Sequence, residues 1–436
     1  MTSHLSAEIA GSLDFRDLDQ TVPTKMPLVE QWLERHAGTS PLAGVTALLI
    51  QHQLGNQVPM AKALIQLGLS PNQIHWLDIP YTSSPIVRAA LQDFGIPKVN
   101  FRTHEYRVTE AYAPYQRRRV QQILCEFMRD PPDCLLVLDD GSYFLEAMAT
   151  FKGCLPRVVV VEQTTRGLIK VEENASLRQC SEKIPIINVA RSRPKMTLEP
   201  PFIGHSVCAS LFRRVRERVT DLTNERCLVL GFGAIGQRVA QFVSLYLGCR
   251  RDHVYIFDTD PERRKQAATL GYSLWNRDDL RTRFLLVVGC SGRSSFGLGD
   301  YVYLENSAIL ASASSGTVEL SRQDFIEFAD SSSLDDIEII RDKIDELDVH
   351  SDLRFRLIDR EATFLNGGFP INFDGRVNCV PSRYMQPTML IMVAGAIQAL
   401  GTSETGIIPL DPEVCDWVDK AFRIELGCEA SVLNDP

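Results

Sequence analysis

The 436-residue chain lacks most features that would assign a function class early. It has no basic excess: 46 Lys+Arg stand against 55 Asp+Glu, a net charge of −9. A nucleic-acid binder usually carries a basic surplus or stripe, so no nucleic-acid partner is expected. Eleven cysteines are present, but none are closer than Cys125 and Cys134. There is no CxxC, no zinc-ligand pair and no compact disulfide framework. Scattered cysteines suit a reducing compartment, and the expected location is cytoplasmic. No apolar run approaches the ~18 residues of a membrane span. The opening MTSHLSAEIAGSLDF carries no basic-then-apolar signal pattern. No HExxH spacing points to a metal, and no GxSxG elbow points to a serine nucleophile. What remains, at 44% apolar and 23% charged, is an ordinary globular composition.

The positive signal is a rhythm. GVTALLIQ (44–51), QIHWLDI (73–79), CLLVLDDG (134–141), RVVVVEQTT (157–165) and IPIINVA (184–190) read as short buried strands. Helical stretches lie between them, such as MAKALIQLG (60–68), SPIVRAALQDFG (84–95) and RRRVQQILCEFMRD (117–130). Strands alternating with helices imply a parallel sheet covered on both faces. A second series follows Pro200-Pro201. It starts with the amphipathic helix SVCASLFRRVRERV, whose stripe is Val207, Leu211, Val215 and Val219. Strands are then expected in RCLVLGFGAIG, HVYIFDTD, RFLLVVGCSG and NSAILASASSG. The acidic stretch 331–348 reads as a solvated helix, and QPTMLIMVAGAIQAL (386–400) as a buried one.

The expected fold class is α/β, a Rossmann NAD-binding domain plus a discontinuous α/β substrate domain. The expected division is a leader over 1–25, a first part of the substrate domain over 26–205, and the Rossmann domain over 206–378. A returning helix of the substrate domain follows over 379–408, then a C-terminal tail over 409–436.

The sharpest motif is Gly231-Phe232-Gly233-Ala234-Ile235-Gly236, between the strand CLVL and the helix QRVAQFVSLYL. In that context the first Gly makes a tight turn, the second admits a pyrophosphate, and the third lets helix and strand pack closely. Asp258 ends the next strand, where a carboxylate accepts from ribose hydroxyls and repels a 2′-phosphate. The expected cofactor is therefore NAD rather than NADP. Other strand ends, at 138–141, 162–165, 188, 289–292 and 314–316, carry polar residues suited to ligands or to helix caps.

Taken in order, these segments resemble the S-adenosylhomocysteine hydrolase family. The resemblance runs from about Gly44 to about residue 415. It is carried by His52 in LLIQHQLGNQVPMAKALIQLG, LDDG at 138–141, VEQTTRG at 161–167, INVARSRPK at 187–195, VLGFGAIGQRVAQ, DTDPERRKQAATLGY, and GGFPINF with Asn372. The resemblance implies NAD that oxidises a nucleoside 3′-hydroxyl. It places Lys195, Asp140 and His52 in the catalytic site, and Thr164 and Thr165 near the nicotinamide. Gly231, Gly233, Ala234, Ile235, Gly236, Asp258, Gly292 and Asn372 fall in the cofactor set, with Asp258 where the family usually has Glu. Gln163, Asn56 and Ser315 fall on substrate positions, but Gln163 and Asn56 replace the family's ribose-binding Glu and an adenine-side Glu, and Ser315, or Ser314, replaces a hinge His. Ala190 and Val380 replace an active-site Asn and a His near the adenine. At Glu199-Pro200 the family's Asp-Asn pair is not reproduced. An amide cannot act as the base that a carboxylate can, and Ser does not titrate near neutrality as His does.

The expectation is thus an NAD-dependent enzyme that oxidises a secondary alcohol on a nucleoside-like or sugar-like small molecule. The departures argue against ordinary adenosylhomocysteine hydrolysis. Two alternatives stand beside it: a non-catalytic NAD-binding regulatory homologue, and a 2-hydroxyacid dehydrogenase-like oxidoreductase. The last expects an acid–His pair in the cofactor half. Lys195 is the expected proton-handling residue. A homo-oligomer is a possible assembly, and no membrane partner is expected.

Overall fold

The computed structural model describes residues 21–426, apart from 109, 154, 156, 332–348 and 358–359. Most of the expected leader, and all but the first residue of the acidic stretch, therefore lie outside the described residues.

Fourteen strands are named here in chain order among the described residues. They are β1 Thr46–Gln51, β2 Ile74–Asp78, β3 Phe101–Arg102, β4 Leu135–Asp139, β5 Val158–Glu162, β6 Pro185–Asn188 and β7 Cys227–Leu230. Then come β8 Val254–Phe257, β9 Ser273–Leu274, β10 Phe284–Gly289, β11 Leu304–Ser312, β12 Leu353–Leu357, β13 Arg360–Phe364 and β14 Gly406–Pro409. They form two seven-stranded sheets, ordered β14-β6-β5-β4-β1-β2-β3 and β12-β13-β11-β10-β7-β8-β9. All pairings are parallel except β12 with β13. Each sheet reverses its strand order at one place, between β1 and β4 in one and between β7 and β10 in the other. Ligands of such open sheets bind beyond the carboxyl ends of the strands at that reversal.

The chain divides into two units. Among the described residues, unit 1 comprises 105–112 and 200–375, and unit 2 the remainder. The divisions near 199 and 375 fall a few residues before the expected 205 and 378. Residues 105–112, expected in the substrate domain, group with unit 1. There the fully buried Arg322 holds them, its Nη2 donating to the Tyr106 hydroxyl and to the Glu110 carbonyl. The stretch expected as a tail contributes to unit 2: β14 pairs with β6, and the helix Pro412–Glu425 follows.

In unit 2, every residue of β1, β4 and β5 is buried, which is why these strands read as unbroken apolar runs. The helix Ser382–Gly401 covers them, with Met389 to Ala396 buried on all sides. Gly395 lets it approach closely, since a Cβ there would sit 3.1 Å from both Val161 and Val189. In unit 1, the helix Pro200–Arg216 starts six residues before the expected Ser206. Its two leading prolines occupy a first turn whose N–H groups have no helical partner anyway. Val207, Leu211 and Val215 are its buried stripe, whereas Val219 lies beyond the helix end. Two of its arginines form ion pairs, Arg213 with Asp374 and Arg214 with Asp352, and Arg218 just beyond the helix end pairs with Asp352 as well.

Candidate functional site

In unit 2 the polar side chains gather at the carboxyl edge of the sheet. His52 follows β1 and Asp140 follows β4, so both stand at the strand reversal. His52 Nε2 lies 3.3 Å from Asp140 Oδ2, and His52 Nδ1 lies 2.8 Å from Thr82 Oγ1. The Thr82 hydroxyl donates to the Ile79 carbonyl, so its oxygen accepts from Nδ1–H. Nε2 then faces the Asp140 carboxylate. Both residues are buried.

Beneath them lies a carboxyl pair set by strand register, Asp139 opposite Glu162. Asp139 accepts from the N–H groups of Tyr143 (3.2 Å) and Phe144 (2.8 Å), in the first turn of Tyr143–Met148. Glu162 accepts from the N–H of Gly141, Ser142 and Thr164 and from the hydroxyls of Ser142 and Thr164. Burial pushes Glu162 up to about 7, held back by the Thr164 and Ser142 donors. Burial, then the Glu162 charge, raises Asp139 well above the ordinary carboxylate range. Glu162 thus organises the turns at 141–142 and 164, which carry the residues around the edge.

Lys195 sits on the short helix Arg193–Thr197 and donates to both oxygens of Glu199, at 2.9 and 2.6 Å. The Thr388 hydroxyl donates to the same carboxylate. The family's Asp-Asn pair is absent at 199–200, but an acid is present there. Glu199 supplies a carboxylate one helical turn after the lysine, and the i,i+4 spacing was the available signal. Gln163 and Asn56 are both buried, and Gln163 Oε1 and Asn56 Oδ1 have no partner among the described residues. Thr164 caps the helix Thr165–Glu173, accepting from Gly167 N at 3.0 Å, and Thr165 is exposed.

In unit 1 the glycine loop has the geometry its spacing implies. Gly231 has φ +95, a left-handed conformation that a side chain resists, and its N–H bonds to Phe257 O at 2.7 Å. A Cβ on Gly236 would lie 1.9 Å from Gly231 O, so no other residue fits there without rearrangement. A Cβ on Gly233 meets only the end of Arg263, 3.6 Å away. Gly233 caps the helix Ala234–Leu245, with Ala234 exposed and Ile235 half-buried in its first turn. The loop therefore leaves open room at the positive end of a helix, as a pyrophosphate needs.

Asp258 is already engaged. Its Oδ2 accepts from Phe232 N at 2.6 Å and its Oδ1 from Asp260 N at 2.9 Å. Arg263 stands 3.6 Å from Oδ2. Beside the loop lies Glu319, fully buried and absent from the sequence expectations. It accepts from the hydroxyls of Ser291, Ser295 and Ser314 and from Gly292 N. Burial raises its pKa, against the serine donors. It thereby ties Gly292 to Ser314. Ser315 is half-buried, and Asn372 is buried in the same unit. Among the described residues no group of three or more His, Cys, Asp or Glu is arranged to hold a metal, and no helix is long and apolar enough to cross a membrane.

No protein-family model matches the chain. Uncharacterized protein Rv0104 of Mycobacterium tuberculosis (strain H37Rv) is 28% identical over 388 residues, covering 87% of this chain and 68% of its own. Among solved structures, a dipicolinate synthase chain from Bacillus halodurans aligns at 11% identity with a TM-score of 0.33. That match covers 64% of this chain and 85% of the other. The NAD-complexed D-isomer specific 2-hydroxyacid dehydrogenase from Lactobacillus delbrueckii ssp. bulgaricus aligns at 10% identity with a TM-score of 0.32, covering 78% and 94%.

Proposed function

We propose that the protein is an NAD-dependent oxidoreductase of the adenosylhomocysteine-hydrolase type with an altered substrate. It oxidises a secondary alcohol on a nucleoside-like or sugar-like molecule. The observation that carries this reading is the glycine loop. Positions 231 and 236 admit only glycine, position 233 leaves room, and an acid stands at the end of the neighbouring strand.

Gly231, Gly233 and Gly236 with the first turn after them would hold the pyrophosphate, and Asp258 the adenosine ribose. For the ribose to bind, Asp258 exchanges or shares its present donors. NAD, when bound, supplies the hydride acceptor. The chain's own part is to handle the alcohol proton. Lys195 Nζ hands a proton to the Glu199 carboxylate it already donates to, and takes the alcohol proton in its place. Thr388 fixes the carboxylate so that this exchange has one geometry. The His52–Asp140 pair offers a second place to hold a proton, with the ring oriented by Thr82. A positioned acid–base group of this kind contributes about 10²–10⁴-fold to a proton transfer.

The loss of a carboxylate at Gln163 and of a histidine at Ser315 favours a different substrate over ordinary adenosylhomocysteine hydrolysis. The same losses support a second reading, an NAD-binding regulator without catalysis. The deciding experiment is to denature purified protein, identify the released dinucleotide, and then screen nucleosides and sugars for reduction of bound NAD. Release of NAD, followed by its reduction by one compound class, supports the enzyme. NAD release with no compound ever reducing it moves the reading to the regulator, and absence of any dinucleotide binding refutes both.

A further inference from the structure

We propose that unit 2 carries an oxyanion-binding subsite built on Arg88, Gln53 and Ser83, and that the molecule taken there bears a phosphate or carboxylate group. The subsite lies one residue along from the His52–Thr82 contact on both segments. Reading the bound molecule as the substrate rests on the proposed function; the anion site itself does not.

Arg88 projects from the second turn of the helix Pro85–Asp93. Its Nη1 donates to Gln53 Oε1 at 2.7 Å and to Ser83 Oγ at 2.8 Å. Both partners are neutral. Elsewhere in unit 2, Arg119, Arg102, Arg191 and Arg193 each meet a carboxylate. Among the described residues Arg88 meets none. A half-buried guanidinium without a counter-ion is costly unless something supplies the charge.

Gln53 makes the same demand. Its Oε1 accepts from Arg88 and from Ser84 N at 3.0 Å, so the amide cannot be turned round without setting donor against donor. Its Nε2 is then fixed as a donor, and it is fully buried with no acceptor among the described residues. Leaving such a buried donor unpaired is unfavourable. Ser83 Oγ accepts from Arg88, and its own hydroxyl proton has only a 3.5 Å contact with Gln53 Oε1. The cluster therefore presents Nη2 and Nε of Arg88, Nε2 of Gln53 and the Ser83 hydroxyl. All of these are donors lacking a close acceptor among the described residues, and three different residues supply them. Only a group rich in acceptors answers that set, and a negative one also answers the charge.

The test is isothermal titration of the cofactor-free full chain with inorganic phosphate and, separately, with acetate. The wild type is expected to bind at least one anion with a Kd of about 1 mM or tighter. Tighter phosphate assigns the phosphate class, and tighter acetate the carboxylate class. Arg88→Met should weaken binding at least tenfold. Gln53→Glu should do the same while keeping Arg88, because it supplies the missing carboxylate from within. Arg88→Lys, which retains the charge but not the fork, covers the case in which Arg88→Met misfolds, with circular dichroism checking each variant. Binding of neither anion by wild type, or equal binding by wild type and both folded variants, overturns the proposal. No dinucleotide is present, so failure here is distinct from failure of the oxidoreductase reading.

Discussion

Two neighbouring glycines in one loop should fail in opposite ways when each receives a single methyl group. At Gly236 the added Cβ would lie 1.9 Å from Gly231 O, and Gly231 in turn packs against the backbone at Ser291. An ordinary contact needs more than 3 Å, so the turn must open by over an ångström against backbone on both sides. Overpacking of this kind costs about 1–3 kcal/mol, less the ~0.5–1 kcal/mol that alanine gains over glycine within a helix. At about 2–4 °C per kcal/mol for a domain of this size, Gly236→Ala should lower the melting temperature of unit 1 by a few degrees, and NAD binding with it. At Gly233 the Cβ meets only the movable end of Arg263, and the backbone (φ −73) suits any residue. Gly233→Ala should therefore melt within about 1 kcal/mol of wild type. It should still lose at least tenfold in NAD affinity, because the methyl fills the approach to the helix N-terminus. Calorimetric melting and fluorescence titration with NAD separate the two outcomes. Wild-type affinity in Gly233→Ala, or wild-type melting in Gly236→Ala, would refute the assignment of roles.

Three further outcomes follow from the same geometry. Lys195→Met should slow single-turnover reduction of bound NAD by at least about tenfold once a substrate is found, with NAD affinity nearly unchanged. Unchanged reduction would move proton handling to His52–Asp140. Asp258→Ala should weaken NAD binding and narrow the preference for NAD over NADP, measured by parallel titrations; the Phe232 N–H it abandons should also loosen the loop. The Asp139–Glu162 pair should make unit 2 less stable as pH rises. Both folded pKa values are raised, Glu162 to about 7, so the folded state keeps a proton that the unfolded chain releases in the ordinary carboxylate range. Stability is fully present below that range and is lost through about pH 7, and Asp139→Asn should flatten this slope in thermal melts. A slope as steep in the variant as in wild type would count against the coupled pair.

The buried strands and the glycine loop were legible because each rests on local physics. Apolar runs such as VVVV at 158–161 must be covered on both faces, and a GxGxxG between strand and helix leaves few other geometries. What was not legible depends on side chains far apart in sequence. Glu319 reads as an ordinary polar residue near a loop. Its role appears only when Ser291, Ser295 and Ser314, from two different segments, all donate to it. Residues 105–112 look like a connection between β3 and the following helix. Only Arg322, more than two hundred positions later, shows where they are held.

Glu199 is the instructive middle case. The family resemblance marks what the position lacks, an Asp-Asn pair, whereas the four-residue spacing from Lys195 marks the carboxylate it supplies. The same contrast separates Gln53 from Gln163. Both are buried amides at the sheet edge, and both leave a polar atom without a partner. But Gln53 is pinned by Ser84 and Arg88, so its unpaired atom has a defined sense, a donor awaiting an acceptor. Among the described residues Gln163 has no such constraint on its amide, so its sense is not fixed. In the proposed reading, Arg88 and Gln53 anchor the substrate by its anion, and the chemistry at the alcohol is left to the His52–Asp140 and Lys195–Glu199 pairs.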